Sequence, residues 1–316
     1  MKRILLPVFL LLLLVACETP PAAPAQRAPT FTPSAPTAPP PTPTPERPLA
    51  ARVNGQPIYL VDYERQVAQY QDALAASGVD IASPEGQERL RQMRAQILDW
   101  MIEQVLIEQA AAGMGITVTD EEVQAAIAQL VQDAGSQEAF QERLERSGMT
   151  LSDLQAQLRA ELLRARVLER VQATVPERAE QVHARHILVD TRERAEALLG
   201  QIQAGADFAQ LARTYSQDES TRDAGGDLGW FPRGVLLAPE VEEIAFSLQA
   251  GQVGPIVQSQ FGYHIVQTLE RKQDEPISPE HRQLLQDRAV QEWMESLWKQ
   301  AVIERFVGGE GIRSKT

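Results

Sequence analysis

Apolar residues follow two periods along this chain, and the change between them divides it. They fall three and four apart at Leu90, Met93, Ile97, Leu98, Met101, Ile102, Val105 and Leu106, the spacing of one broad buried helix face. Ser83-Pro84 supplies an N-cap and a first-turn proline for that helix, and Gly113 and Gly115 mark its end. Thr119-Asp120-Glu121-Glu122 is a capping box that predicts a helix to about Asp133. A short helix follows around Phe140 and Leu144. Thr150 opens another, with Leu151, Leu154, Leu158, Leu162 and Val167/Leu168 on one side. Upstream, ARVNGQPIYL reads as an extended segment with a turn at Asn54-Gly55, passing into a helix from about Leu60. Val175-Pro176 closes the helical stretch.

After Pro176 the period drops to two. In VHARHILV the residues Val182, Ala184, His186 and Leu188 share one strand face, and His183, Arg185, Ile187 and Val189 the other. A helix from Thr191 ends at Gly205, and Asp207 caps the next, FAQLARTYS. GGDLGWFPRG reads as a glycine-rich turn and a short strand, PEVEEIAFSL as a helix started by Pro239, and VGPIVQ and FGYHIVQTLER as two strands. Residues 182–272 thus predict a compact α+β domain. Beyond it, Pro279 to Val307 predicts one long helix with Leu284, Leu285, Trp293, Leu297, Trp298, Val302 and Phe306 as its apolar set. Its two tryptophans require burial against something outside that domain.

Composition changes the picture at the N-terminus. Lys2 and Arg3 precede an apolar run from Ile4 to Val15, the layout of a signal peptide and shorter than a spanning helix needs. Leu14-Val15-Ala16-Cys17 resembles the lipobox of bacterial lipoproteins, which implies lipidation of Cys17 and residues 1–16 as the signal peptide. Cys17 is the only cysteine of the chain, so no internal disulfide competes for it. Residues 17–48 are rich in proline and poor in large apolar side chains, the composition of a semi-rigid extended tether. The formal net charge of −13 over 316 residues argues against nucleic acid as a partner.

Of the chain's four histidines, His183 and His186 invite a reading as a metal pair. A strand sends residues three apart to opposite faces, and no HExxH or paired-cysteine pattern accompanies them, so no metal is expected. The motifs ARHILV, DFAQLARTYSQD, GGDLGWFPRG, AFSL and GPIVQSQFGYHIV resemble, in order and spacing, the parvulin peptidyl-prolyl isomerases. The order VNGQPI, helix, long helix, TVTDEEV is similar to the N-terminal chaperone domain of the SurA and PrsA foldases.

The resemblance implies an α+β protein. A parvulin domain with a four-stranded antiparallel-type sheet and surrounding helices (179–272) joins an all-α chaperone-like domain (49–178). The latter is completed by residues 273–316, a C-terminal helix that ends in a disordered tail; alternatively that helix makes a homodimer contact. It further implies His186 and His264 as paired site histidines, Asp218 beside the amide, and a proline pocket from Leu228, Leu236 or Leu237, Val241, Phe246 and Phe261. The histidines either hold two central strands together or share in the chemistry, and Asp218 is otherwise a loop cap. Val241 stands where many parvulins carry phenylalanine. The implied activity is cis-trans isomerisation of X–Pro bonds, without a cofactor, in unfolded or nascent secreted polypeptides at the extracytoplasmic face of a membrane. The alternative is a holdase chaperone whose parvulin domain is weakened.

Overall fold

The computed structural model describes residues 47–307; the signal-peptide, lipidation, tether and C-terminal tail assignments, Cys17 included, lie outside the described residues. Strands β1 (Leu49–Val53) and β2 (Gln56–Tyr59) form an antiparallel hairpin. Asn54 and Gly55 turn it with φ of 49° and 87°, the paired positive values that a two-residue hairpin turn requires. Helices α1 (Leu60–Ala76) and α2 (Pro84–Gly113) follow, and Ser83 Oγ accepts the Gly86 N–H at the start of α2. Helix α3 (Asp120–Ala134) begins in the Thr119/Glu122 capping box, and α4 (Gln137–Arg146) is capped by Ser136. A second capping box, Thr150/Asp153, opens α5 (Leu151–Gln172).

The second half is built on β3 (Arg178–Val189), followed by α6 (Arg192–Gln203) and α7 (Phe208–Tyr215) with their Thr191 and Asp207 caps. Then come β4 (Asp227–Pro232), α8 (Pro239–Ser247), β5 (Val257–Ser259) and β6 (Gly262–Pro276). The four strands form an antiparallel sheet in the order β4-β3-β6-β5. Alternation along β3 and β6 feeds two cores. Val182, Ala184 and Val266 pack with Phe231, Val241, Ala245 and Phe246 on one face. Ile187, Val189 and Ile265 meet Ala195, Leu198, Phe208 and Leu211 of α6 and α7 on the other.

The C-terminal helix is shorter than its apolar pattern predicts. Helix α9 (Pro279–Gln300) ends at Ala301, whose backbone is extended (φ −77°, ψ 141°), and β7 (Ile303–Arg305) follows. Strand β7 pairs antiparallel with β1, and Asn54 exchanges hydrogen bonds with Val302 across 248 positions. The helical half is therefore not all-α, because it contains the three-stranded sheet β2-β1-β7. Val302 and Phe306, expected on the buried helix face, are exposed (68% and 53%).

Helix α9 half-buries its tryptophans. Leu297 and Trp298 pack on the core of Val53, Tyr63, Leu98 and Ile102, while Trp293 and Met294 pack on Ile107, Ala111 and Val167. Apolar area removed from water contributes about 25 cal/mol per Å², so these half-buried contacts hold the returning helix against α2 and α5. Among the described residues no helix is long and apolar enough to cross a membrane.

Candidate active site

His186 lies on β3 and His264 on β6. In the register, His186 faces Val266 and Leu188 faces His264, so the two imidazoles are diagonal neighbours on one sheet face, within reach of ring side chains. Their centroids lie 5.4 Å apart with planes inclined 21°, and Nδ1 to Nδ1 is 3.2 Å. Both are buried, His264 to 2% exposure.

Asp218 arrives from the loop after α7. That loop is stitched to the end of β3 by Gln217 N–H to Leu188 O (2.8 Å) and Leu188 N–H to Ser216 Oγ (3.2 Å). Asp218 Oδ1 accepts from the Ser220 N–H and hydroxyl, an Asx-type turn, and Oδ2 accepts from Thr221 Oγ1 (2.5 Å) and lies 2.7 Å from His186 Nε2. The loop-cap role and the histidine contact belong to the two oxygens of one carboxylate.

These contacts order the protons. Burial alone would raise the Asp218 carboxyl, but the hydrogen bonds from Ser220, Thr221 and His186 outweigh it and hold the group well below the usual carboxylate range. An ionised carboxylate only accepts, so His186 donates from Nε2. For His264, burial comes first and the neighbouring His186 second, and together they push it down to about 4. It is neutral near pH 7. The contacts form one chain: Ser259 Oγ to His264 Nε2 (2.7 Å), His264 Nδ1 to His186 Nδ1 (3.2 Å), and His186 Nε2–H to Asp218 Oδ2 (2.7 Å).

Gly226 explains the glycine-rich motif. It has φ +83°, its carbonyl accepts the His186 N–H (2.8 Å), and a Cβ there would stand 2.0 Å from His186 O. Only glycine lets the turn after Asp218 close onto β3 at the histidine.

The expected pocket residues divide. Val241 and Phe246 are buried together, with Leu228 and Leu236 packed against them. Leu237 is 77% exposed, so Leu236 is the leucine that turns inward; Phe261 is 49% exposed and joins through its N–H to Ser259 Oγ (3.0 Å). His183 takes no part: it meets Asp227 (2.7 Å) and leans on Trp230 on the opposite face. Sequence reading missed Ser259, Thr221 and Ser220. The last two carried a signal, since hydroxyls two and three residues after an Asp are what an Asx turn recruits.

Residues 168–272 match the PPIC-type PPIASE domain family, and residues 40–168 the SurA-like N-terminal domain. The Foldase protein PrsA of Caldanaerobacter subterraneus is 32% identical over 279 residues, covering 82% of this chain and 87% of that protein. This chain belongs to the PrsA foldase family. It is similar also to the Chaperone SurA of Bordetella parapertussis, 41% identical over 147 residues, which cover 41% of this chain and 28% of that one. A solved structure of the peptidylprolyl isomerase PrsA from Bacillus anthracis shares 26% identity, with a TM-score of 0.44, covering 64% of this chain and 94% of that one. This PrsA-family chain carries a PPIC-type peptidyl-prolyl cis-trans isomerase domain and a SurA-like N-terminal domain, which makes it a foldase and chaperone by family.

Proposed function

We propose that this protein is a lipid-anchored extracytoplasmic foldase that isomerises X–Pro bonds in secreted or envelope proteins, with His186, Asp218 and His264 at the centre of its site. The observation that carries the reading is the buried His186–His264 pair tied to an ionised Asp218. The barrier to peptide rotation is about 18–20 kcal/mol and arises from amide resonance. No bond breaks, so the site needs neither nucleophile nor cofactor. It needs a dry surface for the proline ring and fixed dipoles suited to a twisted amide. Leu228 and Leu236, half-buried and backed by the buried Val241 and Phe246, supply apolar surface. The ionised Asp218 carboxylate, held by Ser220, Thr221 and His186, supplies a fixed negative end beside it.

In this reading residues 1–16 are cleaved, Cys17 carries the lipid, residues 17–48 form the tether, and 49–178 with 273–316 bind clients beside the isomerase domain of 179–272. A proline-limited refolding assay tests the chemistry. Asp218→Ala should lower the catalysed rate by about 10²-fold, and a rate equal to wild type would remove Asp218 from the site. Incorporation of labelled lipid should be lost in Cys17→Ser, and persistence there would refute the anchor.

One observation favours a second reading, a holdase with a weakened isomerase. An apolar cleft of about 430 Å³ opens among Leu168, Val290, Met294 and Trp298 on α5 and α9, rimmed by Glu103, Arg164 and Lys299. Suppression of client aggregation without acceleration of refolding would establish it over the first.

A further inference from the structure

We propose that Glu242 is a positioning residue for proline binding, acting by fixing the loop Arg233–Leu237. The proposal rests on the reading of Leu236, Val241 and Phe246 as the wall of the proline site.

Glu242, on α8, is the one acidic side chain among the buried residues of the described chain, with 9% exposure. Burying a carboxylate is costly unless it is paired or well hydrogen-bonded. Its hydrogen-bond partners are three successive backbone N–H groups. Oε1 accepts from Gly234 (2.8 Å), and Oε2 accepts from Val235 (3.2 Å) and Leu236 (3.3 Å). Consecutive N–H groups converging on one anion form a nest, and here the anion is the protein's own. A carboxylate suits it because both oxygens accept; a carboxamide would present an NH₂ group to at least one N–H.

The captured loop is part of the site's wall. Its first residue, Arg233, lays its guanidinium over the Phe246 ring at 4.3 Å. Gly234 has φ +91° and lies so close to α9 that a Cβ would be 2.8 Å from Leu285 Cδ2. With the 234–236 backbone held from both sides, Leu236 packs onto the core with Val241 and Phe246, while Leu237 projects to solvent. Two adjacent leucines compete for one inward position, and the Glu242 nest decides between them.

The test uses the full chain purified in detergent and an Ala-Pro peptide, with binding and exchange read by two-dimensional NMR. Glu242→Gln should raise KM about tenfold while kcat stays within about twofold, the signature of lost uniform binding. Glu242→Asp should fall between, and Glu243→Gln, exposed on the same helix, should match wild type. A purely structural role would lower Tm and leave KM unchanged. In the wild type, the amides of Gly234, Val235 and Leu236 should exchange with solvent far more slowly than an unstructured peptide. An unaltered KM in folded Glu242→Gln overturns the proposal, as does unprotected exchange at these three amides. If the Gln variant does not fold, the Asp variant and the wild-type exchange decide. A wild type with no isomerase activity would overturn the site assignment itself, a result visible before any variant is made.

Discussion

Acidification should weaken this fold through His264. Its folded value of about 4 lies below the 6.5 of an unperturbed imidazole, because burial and the adjacent His186 disfavour the charged ring. A depressed histidine binds its proton more readily in the unfolded chain, so stability is fully present above pH 6.5 and is lost as pH falls toward 4. The whole difference is about 3 kcal/mol, of which about 2 kcal/mol is gone by pH 5. His264 is 2% exposed, so solvent screening takes little from that figure. Asp218, held low by its hydrogen bonds, loses its own contribution only below its ordinary value of 3.8, outside this window. The assay is urea unfolding of residues 47–316 at half-unit steps from pH 7.5 to 4.5, in wild type and His264→Asn. Wild type should lose about 2 kcal/mol more than the variant between pH 7 and 5. Equal slopes would refute the reasoning, as would an NMR titration of His264 centred at 6.5.

Gly226→Ala should destabilise the isomerase domain by about 3 kcal/mol or more, since it adds a methyl 2.0 Å from His186 O at positive φ; thermal unfolding reads it, and a wild-type Tm would contradict the turn's geometry. Trp298→Ala should cost about 2 kcal/mol by stripping apolar packing from the Tyr63–Leu98–Ile102 core, measured by urea unfolding followed by far-ultraviolet circular dichroism, and an unchanged midpoint would contradict that packing.

Local pattern carried much of this structure. The caps at Ser83, Thr119, Thr150, Thr191 and Asp207 start helices where their side chains announce them, because a cap is a contact over three residues and needs no distant partner. Strand alternation separated His183 from His186, and the two do lie on different faces with different partners. The boundary of α9 was not legible. Its apolar period continues through Val302 and Phe306, and only pairing with β1 pulls Ile303–Arg305 into a strand. Three residues are too few for periodicity to register. Leu236 and Leu237 were interchangeable on paper for a similar reason: what orients them is backbone N–H capture by Glu242, and every sequence has N–H groups.

By itself the sequence determined which faces are buried, where helices begin, and that one histidine of VHARHILVD points inward, since each follows from local geometry. Its likeness to the parvulins named His264 as the partner. The tertiary structure decided the register that sets His264 diagonal to His186 across 78 positions, the return of β7 to β1, and the chain of contacts from Ser259 to Asp218. These depend on how distant strands close on one another, and no local spacing encodes that.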